Sequence, residues 1–535
     1  MAAAAFPTVD PAVMKRHDEA VERLLKVQIT DPSSRWCGAY PDEFGLHHPG
    51  SAGGILERFT AAFLHPDSRF HRDSLLVERM RLAAGYLARA QNQQGNIDLL
   101  ITNFNSPPDS AFVVHSVATA ACLATRQGER ELAAMMEPFL RKAAAGMAVG
   151  GVHTPNHRWV VCSALAQVNE LFPNPAYVRR IDQWLAEGID IDADGQFTER
   201  STLVYNIAVD RALIVMADKL KRPELLGAVR QNLNSMLYLL HPGYEVVSEI
   251  SRRQDLNQRG DIGRYWFPLR YLAVHDGNGR FAALADPFAG RYADLPALME
   301  YPELTHPGPA HALISEDYER QFPLLGIARI RRGLTSATLI LGGNSRFFTL
   351  RRGQSVINAV RFASAFFGKG QFVPQKAEQR GESYYFVQSL VGDYMQPLER
   401  PRRIGPADWV AARAERRRTE ISKLEQAATV TELKNGFRLR LQAHGANDVP
   451  VAVEVNLREG GDLEGCVPAP RVKDAWLLPA GQASYRMGED EIRFGPGLRA
   501  HSYTQVRMAE EKLPGPSVYL TAYTPFDHTL LFEWS

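Results

Sequence analysis

The spacing of apolar residues changes once along this 535-residue chain, from a period near 3.6 to a period of 2 at about residue 310. Before that point, apolar-periodic segments are separated by proline and glycine residues that break helices. We predict helices at 74–90, 110–125, 129–145, 158–171, 176–186, 202–220 and 224–240. Helices of this length with short joints are typical of stacked antiparallel pairs, and segments that are apolar on nearly every face suit the inner layer of a double-layered helical barrel.

The second part of the chain alternates apolar and polar residues. Strand-like runs lie at 336–342, 346–350, 429–433, 437–441, 451–457, 491–494 and 529–534. Asn435-Gly436 stands between two of these runs and predicts a hairpin. The charged stretch 413–423 is either an exposed helix or a long hairpin arm. The predicted fold class is therefore α+β multidomain, with an (α/α) toroid (an incomplete double-layered helical barrel) over 1–305 and an antiparallel β-sandwich over 306–535.

Composition narrows the function classes. The chain is 45% hydrophobic and 23% charged with a net charge of +1, which is typical of globular proteins and supplies no global field for nucleic acid or an acidic membrane. No run approaches the roughly 18 apolar residues of a membrane span. Four scattered cysteines predict neither a disulfide framework nor a thiolate zinc site. The N-terminus has no basic start and no long apolar stretch, so we expect a cytoplasmic chain as it stands, or a secreted or periplasmic one if a leader was removed. Oligomeric state stays open.

Two polar segments precede predicted helices. In the first, Asn103 and Asn105 are candidates for contacts with sugar hydroxyls, because amides both donate and accept hydrogen bonds, whereas Asp109 is more simply a helix cap. In the second, Asn156 and His157 open an apolar helix, where an amide, an imidazole and unpaired backbone N–H groups meet. This arrangement suits a carboxylate or an oxyanion. The alternative is an asparagine cap followed by a histidine bonded to a nearby carbonyl.

A third segment, 190–201, begins like a calcium loop but has Ser201 where a bidentate glutamate is needed. Arg200 ends this segment, and Tyr205 follows about one turn into the next predicted helix. A tyrosine in an apolar helix is usually a core residue with its hydroxyl bonded, unless other observations point to it.

Arginines cluster in two places. Residues 252–270 hold five arginines against two acids, and residues 346–380 hold seven basic side chains against one acid. Exposed faces usually mix their charge signs, so both clusters indicate contacts with an anionic ligand. We take Arg200, Arg252, Arg253 and Arg259 as candidate substrate-binding residues.

Together these segments resemble the polysaccharide lyases of the heparinase II/III-like and alginate/chondroitin lyase group. The resemblance rests on Asn156-His157, on 194–197 with Tyr205-Asn206, on 252–261, and on 366–372 in the β half. It implies that Asn156 and His157 neutralise the carboxylate of a uronate, and that Tyr205 moves the proton. Several members use a second histidine from the β domain, for which Tyr384 or Tyr385 could stand in. We expect no cofactor, with a structural Ca²⁺ or Zn²⁺ as the alternative; the members of the group that have a structural zinc bind it in the β sheets through histidine and aspartate.

The function so predicted is β-elimination on an anionic, uronic-acid-containing polysaccharide or oligosaccharide. Loss of the C5 proton requires that charge developing on the uronate carboxylate be stabilised, and a tyrosine near arginines would ionise below its usual pKa of about 10. One alternative is a glycoside hydrolase with a carboxylate pair drawn from Asp194, Glu199, Glu249 and Asp255. Another is a protein that binds anionic polysaccharide without cleaving it.

Overall fold

The computed structural model describes residues 6–534, which divide into two compact units. Unit 1 comprises the residues up to Leu240 together with Tyr244–Ser315, and unit 2 comprises His241–Gly243 and the residues from Glu316 onward. The sequence placed the boundary at residue 306. The N-terminal stretch considered for a leader falls in part on residues 1–5, outside the described residues. Within the described range, every helix is too short or too polar to cross a membrane.

Unit 1 is helical apart from one short hairpin. Its helices are α1 (Pro11–Val27), α2 (Pro49–Leu64), α3 (Ser74–Ala90), α4 (Pro107–Arg126), α5 (Arg130–Val149), α6 (Pro155–Leu171), α7 (Pro175–Ala186), α8 (Tyr205–Leu220), α9 (Leu226–Met236), α10 (Trp266–Asp276), α11 (Gly279–Ala285), α12 (Ala289–Tyr292) and α13 (Leu295–Glu300). The hairpin is formed by β1 (Ile97–Leu99) and β2 (Asn103–Ser106), between α3 and α4.

Alternate helices of unit 1 pack in succession. Helix α2 contacts α4, α4 contacts α6, and α6 contacts α8, while α3, α5, α7 and α9 each pack against the even-numbered helix that precedes them in the chain. Helices α4, α6 and α8 are buried along most of their length, whereas α7 buries only Tyr177 and Ile181. This contrast agrees with the expectation that a segment apolar on nearly every face forms a helix buried on most sides.

Unit 2 consists of strands and one short helix, α14 (Trp409–Ala412). The strands are β3 (Asp317–Phe322), β4 (Ile327–Arg332), β5 (Thr335–Ile340), β6 (Phe348–Arg352), β7 (Ser355–Ser364), β8 (Lys376–Arg380), β9 (Ser383–Met395), β10 (Arg418–Leu433), β11 (Gly436–Gly445), β12 (Pro450–Leu457), β13 (Asp462–Glu464), β14 (Val467–Pro468), β15 (Ala475–Leu477), β16 (Ala483–Met487), β17 (Asp490–Gly495), β18 (Ser517–Tyr523) and β19 (Phe526–Glu533).

These strands form two sheets that face each other. One has the order β13-β16-β17-β19-β11-β10-β9-β8, and the other β14-β15-β18-β12-β7-β6-β5-β4-β3. Phe348 of the second sheet lies 5.5 Å from Phe437 and 5.8 Å from Phe532 of the first, measured between ring centroids. Apolar side chains of both sheets share one core, which makes unit 2 a β-sandwich. The pairing is antiparallel except between β15 and β18, which run parallel.

Several local predictions are confirmed. Helix α3 has the predicted bounds, and the predicted hairpin joins β10 to β11, with Leu433 paired to Gly436. The charged stretch 413–423 resolves as a single 3-10 turn that leads into β10. Helix α8, however, begins three residues later than predicted, at Tyr205, because the residues before it form turns bonded to a neighbouring segment.

Candidate active site

A cavity of about 760 Å³ opens in unit 1. It is lined by the loop before α2, the β1–β2 hairpin, the first turns of α4, α6 and α8, and the loop residues Arg253 and Gln254. Three helix starts converge on the cavity, and Asp109, His157 and Tyr205 bring polar side chains to that side of it. Leu46, Ile97 and Leu99 form part of an apolar wall.

His157 lies in the first turn of α6 and lines this cavity. Its ring meets the rings of His153 and Phe112 edge-on, with centroids 4.8 and 6.2 Å away. Burial, reinforced by repulsion from His153, lowers the pKa of His157 to about 4, and its Nδ1 is buried without a hydrogen bond. At neutral pH the imidazole is therefore uncharged. A neutral imidazole can accept a proton or hold one hydrogen bond, but it does not supply a positive charge to a carboxylate.

Asn156 precedes His157 but faces a carboxylate that the chain itself supplies. Thr154 precedes α6 without capping it through its side chain, and the backbone N–H and the side-chain amide of Asn156 both donate to Oε2 of Glu199. The sequence assigned a carboxylate to this helix start, and in the structure Glu199 occupies it. Asn156 is 2% exposed, does not line the cavity, and has no hydrogen-bond partner at Oδ1.

Tyr205 is the first residue of α8, and its side chain lines the cavity. Nε2 of Gln254 donates a hydrogen bond of 3.0 Å to its hydroxyl oxygen, and the guanidinium of Arg253 lies 5.1 Å above its ring. Nε of Arg253 is 3.3 Å from Oε1 of Glu199. Glu199 thus links the start of α6 to Arg253, and Arg253 in turn contacts Tyr205.

Of the two asparagines predicted near α4, only Asn103 lines the cavity. Its amide donates to Asp109, which also accepts from the capping residue Ser106. Asn105 instead holds its own loop together: its Nδ2 donates to Gln94, and its Oδ1 accepts from Asn96 at 2.9 Å.

The predicted arginines separate in the structure. Arg253 lines the cavity, whereas Arg200, Arg252 and Arg259 do not. Arg252 is exposed, Arg200 is half-buried, and Nε of Arg259 is 3.9 Å from Oε2 of Glu245.

The basic stretch 346–380 belongs to unit 2 and is paired there with acids distant in sequence. Arg361 is buried against Glu454 and also pairs with Glu510, while Lys376 and Arg380 both pair with Glu378. The excess of positive charge counted along the sequence is thus partly compensated within the fold.

Tyr384 and Tyr385 lie on β9. Tyr384 is part of the sandwich core, and its hydroxyl donates to Glu319. Tyr385 is half-buried, with the guanidinium of Arg380 lying 3.9 Å from the centre of its ring. Their assignment to substrate stays a prediction.

Sequence reasoning missed a second polar wall of the cavity. Nε2 of His48 lies 3.0 Å from Oδ2 of Asp42, in the loop before α2, and Tyr40 lines the cavity beside them. This loop has neither apolar periodicity nor a motif, so its six-residue spacing from Asp42 to His48 was the only available signal. Gln254 lies within the arginine-rich stretch 252–270 and His153 lies three residues before Asn156, and both line the cavity without having been predicted to do so.

The carboxylates considered for a hydrolase do not line the cavity. Asp255 is fully buried and Glu199 is bonded to Asn156, which leaves Asp42 and Asp109 as the carboxylates of the wall. Among the described residues, no group of three or more histidine, cysteine, aspartate or glutamate side chains is placed to hold a metal ion.

Known structures share this architecture. A chondroitin AC lyase of Streptomyces coelicolor A3, solved with chondroitin sulphate, aligns over 99% of this chain and 80% of its own, with a TM-score of 0.59 and 14% identity. A heparinase III aligns over 99% and 83%, with a TM-score of 0.54 and 11% identity. A xanthan lyase of Paenibacillus has a TM-score of 0.60 and 10% identity over 98% of this chain, which spans 57% of that lyase.

These neighbours are polysaccharide lyases, so the resemblance found in the sequence is confirmed at the level of the fold. No family model matches the sequence, and no curated protein matches it. At identities of 10 to 14%, the similarity defines the fold, and function has to be argued from the site.

Proposed function

We propose that this protein is a polysaccharide lyase that cleaves a uronic-acid-containing polysaccharide by β-elimination and leaves a 4,5-unsaturated uronate at the new end. The observation that carries the proposal is the meeting of Tyr205, His157 and Arg253 on one cavity, in a chain with the fold of known polysaccharide lyases. The proposed partner is an anionic polysaccharide or oligosaccharide, and the reaction uses no cofactor. We also propose that the helices of unit 1 form an (α/α) toroid, an incomplete double-layered helical barrel.

The chemistry assigns a separate task to each side chain. Arg253 binds the uronate carboxylate as the substrate enters, and because this charged contact is already made before the reaction, its main effect is on substrate binding. Tyr205 transfers the proton and protonates the departing glycosidic oxygen. In a syn elimination Tyr205 also takes the C5 proton, whereas in an anti elimination the neutral His157 takes it from the opposite face.

The roles proposed for Asn156 and His157 differ from those implied by the resemblance. Because its backbone N–H and its side-chain amide both donate to Glu199, Asn156 acts on Arg253 through that carboxylate and does not reach the substrate itself. Because the pKa of His157 is lowered to about 4, His157 serves as a neutral acceptor rather than as a cation.

The test is ultraviolet absorbance during incubation with hyaluronan, chondroitin, heparan, alginate, glucuronan and gellan. Elimination creates a double bond conjugated to the carboxylate, so absorbance should rise with one of these polymers and should not rise with the Tyr205→Phe variant. New reducing ends without absorbance would support a hydrolase that uses Asp42 and Asp109. Saturable binding without any new ends would identify a non-catalytic polysaccharide-binding protein.

A further inference from the structure

Asp255 follows the cavity residue Gln254 in the chain, has no exposed surface and does not line the cavity itself. Its carboxylate accepts three hydrogen bonds: from Oγ of Ser201 at 2.9 Å, from Oγ of Ser251 at 2.5 Å and from the backbone N–H of Leu203 at 2.9 Å. Three donors on one buried carboxylate balance the cost of removing its charge from water.

Each of the two serine hydroxyls that bind Asp255 also accepts a hydrogen bond from a residue that lines the cavity. Oγ of Ser201 accepts a hydrogen bond of 3.0 Å from the backbone N–H of Tyr205, and Oγ of Ser251 accepts one of 3.1 Å from the backbone N–H of Arg253. A hydroxyl has a single proton, which each serine gives to Asp255, and this leaves a lone pair directed at the N–H group. The two chains of hydrogen bonds therefore have the same form. We call the chain from Asp255 through Ser201 to Tyr205 the Ser201 arm, and the chain from Asp255 through Ser251 to Arg253 the Ser251 arm.

Both N–H groups lie where the backbone lacks regular partners. Tyr205 is the first residue of α8, and its N–H is one of the donors that a helix leaves unpaired at its start. Arg253 lies in a loop without helix or strand. Ser201 and Ser251 thus supply acceptors that secondary structure does not.

We propose that Asp255 is a positioning residue, which holds Tyr205 in place through Ser201 and Arg253 through Ser251. The inference rests on the proposed function, because the different roles proposed for Tyr205 and Arg253 give the two arms different effects on kcat and KM. The Ser201 arm sets the proton-transfer group, and the Ser251 arm sets the group that binds the uronate carboxylate. One buried carboxylate thereby fixes the distance between the two.

Removal of one arm at a time should separate the two effects. Ser201→Ala should lower kcat about tenfold with KM nearly unchanged, since a displaced proton-transfer group slows the chemical step without weakening binding. Ser251→Ala should raise KM about tenfold with kcat nearly unchanged, since the carboxylate contact is made before the reaction. Asp255→Asn should change both parameters, because its amide N–H₂ group would face at least one of the three donors.

Ser248→Ala is the matched control. Ser248 is also buried, lies in the same loop region, and donates the proton of its hydroxyl to the backbone carbonyl of Gln258 at 2.6 Å rather than to Asp255. Its kcat and KM should both stay within about twofold of the wild type. Circular dichroism of every variant checks that the helices remain folded.

Backbone hydrogen exchange tests the arrangement independently of any substrate. Exchange at Tyr205 should accelerate in Ser201→Ala and not in Ser251→Ala, and exchange at Arg253 should show the reverse pattern. If no polymer is cleaved but exchange follows this pattern, the proposed function fails while the bonding arrangement stands. If cleavage occurs but both serine variants change kcat and KM together, or leave them unchanged, the positioning role of Asp255 is overturned.

Discussion

A shift from pH 7 to pH 5 should weaken the folded state through His157. Burial holds the pKa of this imidazole at about 4, against 6.5 for the side chain in water. Between pH 6.5 and pH 4, His157 is mostly protonated in the unfolded chain and mostly neutral in the folded chain. The stabilisation is therefore complete above pH 6.5 and is lost as the pH falls toward 4.

The magnitude follows from the two pKa values. Integrating proton uptake from pH 7 to pH 5 gives a loss of about 2 kcal/mol in the free energy of unfolding for this one group. His115 also has its pKa lowered to about 4 by burial, so the total loss in the wild type should be larger. Comparison with His157→Gln isolates the contribution of His157, because that variant keeps His115 and removes only one titrating group.

The assay is urea unfolding followed by the helical circular dichroism signal at both pH values. The wild type should lose about 2 kcal/mol more than His157→Gln between pH 7 and pH 5. Phe112→Leu serves as the control, since Phe112 contacts the same ring but does not titrate, and it should keep the wild-type difference. Equal losses in the wild type and His157→Gln would refute the neutral, buried imidazole and its role as a proton acceptor.

Three further predictions follow from the contacts of the site and of unit 2. Tyr205→Phe should lower kcat by at least about a hundredfold in the absorbance assay, without changing the urea midpoint, because only the hydroxyl is removed. Arg253→Ala should raise KM more than it lowers kcat, and the wild-type KM should rise with added salt, because a charged contact is screened. Glu454→Ala should destabilise unit 2 by about 3 to 5 kcal/mol in urea unfolding, since it leaves the buried Arg361 without its main partner.

Each of these predictions has an outcome that contradicts it. If Tyr205→Phe kept the full kcat of the wild type, Tyr205 would not be the group that transfers the proton. If KM did not depend on salt, Arg253 would not be the group that binds the substrate carboxylate. If Glu454→Ala lowered the free energy of unfolding by less than about 1 kcal/mol, Glu510 alone would be compensating the charge of Arg361. The exposed pair of Arg440 and Asp527 is the reference, because removing Asp527 should have an effect of that small size.

Much of the fold could be predicted from the sequence because local patterns carry it. The helical period of α3 and the Asn435-Gly436 turn depend on neighbouring residues only, and both were found in place. The start of α8 was missed because it depends on Ser201, whose hydroxyl is set by Asp255 from a segment about fifty residues away. Apolar periodicity reports only on residues close together in the sequence, so it does not predict such a contact.

The candidate site was predicted in part, for a related reason. Tyr205, His157, Arg253 and Asn103 do line one cavity, although their segments are far apart in sequence. The partner of Asn156 was not foreseen, because a chain's own carboxylate and a substrate carboxylate suit a helix start equally well.

Charge counting along the sequence was less informative. It pointed to a ligand at 346–380, where Arg361 instead pairs with acids about 90 and 150 residues further on. Short windows of sequence do not show which opposite charges the fold brings to a basic stretch.

The most direct test of β-elimination is mass spectrometry of the products formed from an oligosaccharide of known mass. Elimination breaks the glycosidic bond without adding water, so the masses of the two products should sum to the mass of the substrate. Hydrolysis adds one water molecule, so products whose masses sum to the substrate plus one water would contradict the central claim.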